Sequence, residues 1–106
     1  MFLMVEVSGY LLELETISEM NGIYALQENY MNGFPTWKCS DKGAIIWYNK
    51  MDDHWSICKS EDFGSSKWMI AGPNQRNEMP NDVNLPWRYN YKNDPKQVND
   101  QLIKSM

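Results

Sequence analysis

The chain has 106 residues, of which 42% are hydrophobic and 23% charged, and these values suit one domain with one hydrophobic core. Its net charge is −4, and its ten basic residues are scattered without a run of lysine or arginine. Nucleic acids and anionic membrane surfaces are therefore poor partners, because both select for a basic surface. No apolar run approaches the roughly 18 residues that a transmembrane helix needs.

The first part of the chain alternates between apolar and polar residues in the manner of β-strands. Strands are predicted over three segments, 3–7, 10–17 and 23–27. The second is either a separate strand or the continuation of one long strand that bends at Gly9. The start at 1–5 lacks the basic region of a signal peptide and meets Glu6 early, so we interpret it as strand and expect an intracellular, cytoplasmic protein.

Two Asn-Gly pairs, Asn21-Gly22 and Asn32-Gly33, each precede an aromatic or apolar strand. Asn-Gly is the strongest short-range signal of a tight hairpin, because both residues accept a positive φ at low cost. The pairs are eleven residues apart, about one strand plus one turn of an all-β domain. We therefore expect a tight hairpin at each pair.

Four further strands, separated by turn residues, are predicted in the middle of the chain over 34–40, 44–50, 54–60 and 65–71. The segment 44–50 is the most apolar, so we take it as the central strand. Its apolar residues on both sides indicate that both faces are covered. Gly43 ends the turn before this strand, at a position that suits a left-handed φ.

The last third of the chain changes character. Segment 72–86 holds three prolines and four asparagines without periodicity, which predicts a long loop, and 87–91 then alternates as a closing strand. Asp94-Pro95 is typical of a helix start. Val98, Leu102 and Met106 recur at every fourth residue, so we predict a short C-terminal helix that packs on the sheet or frays.

These segments predict an all-β fold: a single antiparallel meander of six to eight short strands that curls into a barrel or a half-open sandwich, plus the C-terminal helix. Curling of this kind removes exposed strand edges. The expected division is an antiparallel β domain over 1–92 and a helical tail over 93–106, packed on the domain or extending from it.

Turn and aromatic residues follow one another in a distinctive order between about residues 5 and 90. The order is Asn21-Gly-Ile-Tyr24, Asn32-Gly-Phe-Pro-Thr-Trp37, Ile45-Ile-Trp-Tyr48, Trp55-Ser-Ile57, Trp68 and Pro86-Trp87. It resembles a small β module that recurs in eukaryotic multidomain proteins and has no established function. The resemblance implies a non-catalytic module used beside other activities.

The two cysteines, Cys39 and Cys58, could form one disulfide, but strand alternation separates them. Cys39 shares a strand face with Trp37, whereas Cys58 lies on the face opposite to Trp55. If both tryptophans are core residues, the sulfurs lie on opposite sides of the sheet and cannot meet the geometry of a disulfide. Two free thiols fit a reducing compartment.

Few residues carry recognisable catalytic chemistry. The Asp52-Asp53-His54 cluster could supply metal ligands or an acid–base pair, but it is also a common turn sequence, and the chain has no second histidine. Cys58 lies about 13 Å from His54 along one strand, which is too far for proton transfer. We therefore expect no enzyme activity, no catalytic residue, no metal and no cofactor.

The aromatic residues are the main candidates for binding. Five tryptophans fall about one per strand, and we expect most of them in the core. Rings at positions 87, 89 and 91 share one strand face, and tyrosine gives a rigid contact area with a polar tip. The expected interaction surface combines aromatic residues with the apolar stripe of the tail, namely Tyr30, Trp87, Tyr89, Tyr91, Val98 and Leu102.

The leading hypothesis is a non-catalytic protein-interaction or scaffold module, a small component of a larger assembly, that docks through residues 1–4 and 94–106. A protein partner is therefore expected. The alternative is a carbohydrate-binding module, because exposed tryptophan and tyrosine rings stack on sugars.

Overall fold

The computed structural model describes residues 2–11, 17, 19–65, 67–73, 79–82, 87–91, 94–99 and 102–106. Within these residues the fold is all-β, as predicted, and one more strand is present than the six to eight expected. The nine strands are β1 (Met4–Val7), β2 (Gly22–Leu26), β3 (Trp37–Cys39), β4 (Ala44–Asn49), β5 (His54–Lys59), β6 (Ile70–Pro73), β7 (Arg88–Tyr91), β8 (Asp94–Gln97) and β9 (Ile103–Ser105). Short 3-10 helices cover Ser60–Asp62 and Pro80–Asp82.

The described strands form one antiparallel sheet in the order β8-β7-β6-β5-β4-β3-β2-β1-β9. Strands β1 to β8 are neighbours in chain order, which confirms the predicted meander. The ninth returns to the start of the chain and pairs with β1, so that Val5 lies opposite Ser105 and Val7 opposite Ile103. The whole sheet curls into a half-barrel.

A seam between the residues after β1 and those after β8 holds the curl. Leu11 and Val98 form an antiparallel bridge, and Asn99 donates its backbone N–H to the Tyr10 carbonyl at 3.2 Å. The Asn99 side chain accepts from the Tyr10 N–H at 2.9 Å and donates to the Ser8 carbonyl at 3.0 Å. Because Asn99 is buried, its amide replaces water as the partner of both backbone groups.

The inner face of the curled sheet holds the main core. Phe34, Tyr48 and Trp55 pack together, with ring centroids 4.8 Å apart for Phe34 and Tyr48 and 5.4 Å for Phe34 and Trp55. The expected core position of the tryptophans is confirmed for four of them, whereas Trp68 is half-buried. The largest fully buried side chains are those of Trp37, Trp47, Trp55, Trp87, Tyr24, Met20, Ile46, Ile57, Ile70, Leu102, Val5 and Val7.

The central strand β4 is buried on both faces, as predicted. Its inner face joins the main core, and its outer face packs in a second group of side chains. The Trp47 and Phe63 rings meet edge to face at 5.3 Å within that group. We call it the outer cluster; it consists of Met31, Ile45, Trp47, Cys58 and Phe63.

The two cysteines occupy opposite sides of the sheet, as strand alternation predicts. Cys39 belongs to the main core and Cys58 to the outer cluster, and both are free and buried. Burial raises the pKa of the Cys58 thiol to about 11, and the Trp47 indole acts in the opposite direction. The Cys58 sulfur is therefore held as a neutral thiol near pH 7 by its apolar surroundings.

The predicted C-terminal helix is wrong. Described residues of the expected tail form β8 and β9, which extend the sheet at its two ends. Val98 donates its N–H to the Trp87 carbonyl at 3.0 Å, and the Leu102 carbonyl accepts from Ser8 at 2.9 Å. A spacing of four residues also keeps side chains on one face of a strand, so the apolar stripe fits both structures.

Of the two Asn-Gly pairs, only the second forms the predicted hairpin. Asn32 and Gly33 have φ values of 57° and 84°, and the flanking Met31 and Phe34 form a bridge. The first pair instead begins β2 at its glycine. The Asn21 side chain instead accepts a hydrogen bond from the Gly9 N–H at 2.7 Å and donates one to the Gly9 carbonyl at 3.0 Å. These bonds join Asn21 to the segment that follows β1.

Several predicted boundaries shift. Gly72 and Pro73 end β6 instead of opening a loop, and β6 begins at Ile70 instead of residue 65. The strand at 88–91 does not close the sheet, because β8 and β9 follow it. The predicted strand over 10–17 falls mainly on 12–16, and most of the predicted loop on 74–78 and 83–86; all of these lie outside the described residues.

Candidate functional site

Exposed apolar side chains gather on the outer face of β1, β2 and β9. Met4 on β1 lies opposite Ala25 on β2, and Met106 donates its N–H to the Met4 carbonyl at 3.3 Å. Side chains of directly opposed residues share a face, so Ala25, Met4 and Met106 form one row. The next row runs from Ile23 through Glu6 to Lys104.

Two further exposed apolar residues, Phe2 and Leu3, precede β1. The Phe2 carbonyl accepts from the Trp37 indole N–H at 3.0 Å, and the Leu3 carbonyl accepts from the Leu26 N–H at 2.8 Å. Their backbone is thereby fixed although their side chains face water. Phe2 is on the same side as Met4 by strand alternation, whereas Leu3 lies opposite Leu26 and shares the inner side of the sheet with it. We call the outer surface the outer patch; it consists of Phe2, Met4, Ile23 and Met106.

The outer patch is about as large as the largest apolar patch of a typical monomer. Its four side chains are between 41% and 67% exposed. With roughly 150–200 Å² for each fully exposed side chain, they leave roughly 350 Å² of apolar surface in water. The largest apolar patch on a typical monomer is about 300–600 Å² and is often functional.

The outer cluster lies on the same face of the sheet, at β4 and β5. There the chain covers its own sheet, with Met31 from the β2–β3 connection and Phe63 from the segment after the first 3-10 helix. Trp47 is consequently buried although it lies on the outer side. No described residue of the chain buries the outer patch in this way.

Buried polar atoms without a partner accompany the covered part of the sheet. Among the described residues they include the Ser56 hydroxyl and His54 Nε2, both on β5. The His54 ring meets Trp68 edge to face at 6.1 Å. Burial lowers the pKa of His54, while Asp52 and Asp53 act in the opposite direction.

The Asp52-Asp53-His54 sequence forms the β4–β5 turn. Tyr48 donates its hydroxyl to Asp53, and the Asn49 amide donates to Asp52 at 3.1 Å. Asn49 Oδ1 accepts from the backbone N–H of Asp52 at 3.3 Å. Both carboxylates therefore have partners within the turn, and the described residues contain no group of three side chains suited to hold a metal ion.

Four of the six residues expected to form an interaction surface are buried instead. Trp87 lies against Gly72, Tyr89 joins the same inner face, and Val98 and Leu102 pack at the seam of the curl. The prediction that these four residues lie on the surface is wrong, because the sheet curls around them.

The other two expected surface residues differ. Tyr30 is exposed on the connection between β2 and β3, as expected. Tyr91 belongs to β7, and its side chain lies outside the described part of the structure. Since Trp87 and Tyr89 are buried, they do not form the exposed ring row on which the carbohydrate hypothesis was based.

Sequence reasoning included part of the outer patch and missed the rest. Residues 1–4 are expected to dock, which includes Phe2 and Met4, whereas Ile23 is not among the predicted surface residues. The available signal was the apolar character of β2 on both sides, since Ile23 and Ala25 alternate with Tyr24.

Comparisons of the chain with protein-family models, with curated proteins and with solved structures find no match. None of the described residues belongs to a helix long and apolar enough to cross a membrane. The outer patch is therefore the feature of the described surface that gives the most direct indication of function.

Proposed function

We propose that this chain is a non-catalytic protein-interaction module that contacts a protein partner through the outer patch. The observation that carries the proposal is the concentration of exposed apolar side chains on one outer corner of the sheet. Burying roughly 350 Å² of such surface is favourable by about 25 cal/mol per Å², before the costs of association are subtracted. The gain favours a partner that covers the patch.

The placement of the patch supports binding to a folded surface. Cross-strand pairing and the hydrogen bonds of the Phe2 and Leu3 carbonyls fix the backbone beneath it. A pre-organised surface loses little conformational entropy when a partner binds. The patch also combines apolar area with one acidic and one basic residue, Glu6 and Lys104, in the adjoining row.

The remaining parts of the proposal concern context. We propose that the chain acts inside the cell as a small component of a larger assembly. The two buried free thiols on opposite faces support a reducing compartment. A recurring module of eukaryotic multidomain proteins, which the sequence resembles, fits such a role.

The test compares partner recovery by the tagged wild-type chain with recovery by Ile23→Lys, from the cells that express the chain. Ile23 is half-exposed and lies beside Glu6, so a lysine there is tolerated by the fold and places a charge in the patch. The matched control is Met51→Lys, because Met51 is 96% exposed at the β4–β5 turn.

The proposal predicts a stoichiometric protein that the wild type and Met51→Lys recover and Ile23→Lys loses at least tenfold. Equal recovery by all three chains would remove the outer patch as the binding surface. Recovery of neither a different protein nor an untagged copy of the chain would contradict the proposal and would direct attention to ligands such as glycans.

A further inference from the structure

We infer that the protein that covers the outer patch is a second copy of this chain, so that β1 and β9 of two copies pack face to face about a two-fold axis. The inference rests on the proposed function, because it identifies the partner of the same surface. It follows from the order of charges and apolar residues across β1 and β9.

The two strands present matched rows on their outer face. Met4 of β1 is the hydrogen-bonded neighbour of Met106, and Glu6 lies directly opposite Lys104. Lys104 is exposed and Glu6 is half-exposed. One strand therefore carries an apolar residue and an acid, and its neighbour carries an apolar residue and a base at the same two levels.

A two-fold axis parallel to these strands and midway between them places β1 of one copy over β9 of the other. Every residue keeps its level along the axis, so Met4 of one copy lies over Met106 of the other. Glu6 of each copy then faces Lys104 of the other copy. An isologous contact needs a surface that is complementary to itself, and this arrangement of one acid and one base meets that requirement.

The available area fits a weak dimer. Each copy offers roughly 350 Å² of apolar surface, so the pair would bury about 700 Å² of it together with the Glu6 and Lys104 side chains, in the range of weak and transient interfaces. Stacked sheets lie about 10 Å apart, a distance that the methionine side chains fill from both sides. We therefore expect dissociation in the micromolar range or above.

Reversing the charges at positions 6 and 104 distinguishes the contact between two copies from effects within one chain. Glu6→Lys leaves two lysines at these positions, and Lys104→Glu leaves two glutamates. Either change places like charges across the two-fold contact and also beside each other within the chain. When the two variants are mixed, the charges across the contact become opposite again, while the like charges within each chain remain.

Overall charge does not explain association of the mixed variants. Each change replaces one charge by its opposite, so the net charge moves from −4 to −2 for Glu6→Lys and to −6 for Lys104→Glu. Both variants stay negative and repel each other as whole molecules. Association in the mixture would therefore report the specific pairing of positions 6 and 104.

The experiment is sedimentation velocity of the purified chain over about 5–500 µM, the range in which a micromolar dimer dissociates. We expect a concentration-dependent dimer for the wild type, at least tenfold weaker association for each variant alone, and recovery in their equimolar mixture. The urea midpoint of each variant, measured at low concentration, is the control for folding.

A wild-type chain that stays monomeric over the whole range would overturn the inference, as would a dimer that both single variants keep. A mixture that fails to associate although both variants are folded would overturn it too. In each case the proposed function remains separately testable, because Ile23→Lys can still abolish recovery of a different protein.

Discussion

Gly72→Ala tests the packing that makes the curled sheet possible. A β-carbon at Gly72 would lie 2.5, 2.6 and 2.8 Å from three ring carbons of Trp87. Carbon atoms pack without repulsion at about 3.5–4.0 Å, so the indole would have to move by roughly 1 Å. Trp87 is fully buried within the core, and close-packed protein interiors leave little room for a ring to move.

The expected magnitude combines two opposed effects. Alanine in a strand gains about 0.5–1 kcal/mol over glycine, because glycine loses more conformational entropy on folding. Overpacking a filled core typically costs about 1–3 kcal/mol and occasionally more. The clash involves the rigid ring of a buried tryptophan, so we expect a net loss of about 2 kcal/mol.

The measurement is urea unfolding followed by tryptophan fluorescence, with the midpoint expected to fall by about 1–2 M for Gly72→Ala. The control is the same change in a Trp87→Phe background, where the smaller ring leaves room for the β-carbon. The double-mutant cycle should then give a favourable interaction energy of about 1 kcal/mol or more. A Gly72→Ala chain as stable as the wild type would refute the packing described for β6 and β7.

Three further changes test other parts of the fold by urea unfolding. Burial lowers the pKa of His54, so the folded state binds protons less readily than the unfolded chain. Stability should therefore be complete well above pH 6.5 and fall as the pH drops through 6.5, and His54→Gln should remove this slope. Asn99→Ala should lower the free energy of unfolding by about 2–4 kcal/mol, because the Tyr10 N–H and the Ser8 carbonyl lose their side-chain partner at the buried seam. A decrease below about 0.5 kcal/mol would contradict that role of Asn99. Ser56→Ala should raise the unfolding free energy by up to about 1 kcal/mol, because it removes a buried hydroxyl that has no partner, whereas a clear loss would indicate a bound water there.

The parts of the fold that local pattern specifies could be predicted from the sequence. The segment 44–50 is apolar on both sides, and β4 is buried on both faces. Strand alternation placed Cys39 and Cys58 on opposite faces, and they belong to different clusters. Both results depend only on the period of two that every strand imposes on its side chains.

The parts that depend on distant partners could not be predicted in this way. Val98 and Leu102 satisfy a helical stripe and a strand face equally well, and hydrogen bonds to Trp87 and Ser8 decide between them. Asn21 likewise leaves its expected turn because its amide binds the backbone of Gly9. Local propensity carries no information about contacts of this separation.

The candidate site was predictable in part for the same reason. Residues at the start of the chain are apolar and are expected to dock, and Phe2 and Met4 are indeed exposed. The grouping of Met4 with Met106 requires β9 to return beside β1, which no local pattern indicates. Trp87 and Tyr89 are predicted on the surface because alternation shows which rings share a face of the strand, but not which face lies inside the sheet.

The most direct test of the central claim is oxidative footprinting of methionines in the native assembly. Met4 and Met106 belong to the outer patch, and Met51 at the β4–β5 turn is a built-in exposed reference. Peroxide oxidation of the dilute purified chain should modify all three, whereas in the native extract Met4 and Met106 should be protected at least fivefold relative to Met51. Equal oxidation of the three methionines in the extract would contradict the claim that the outer patch is a protein-binding surface.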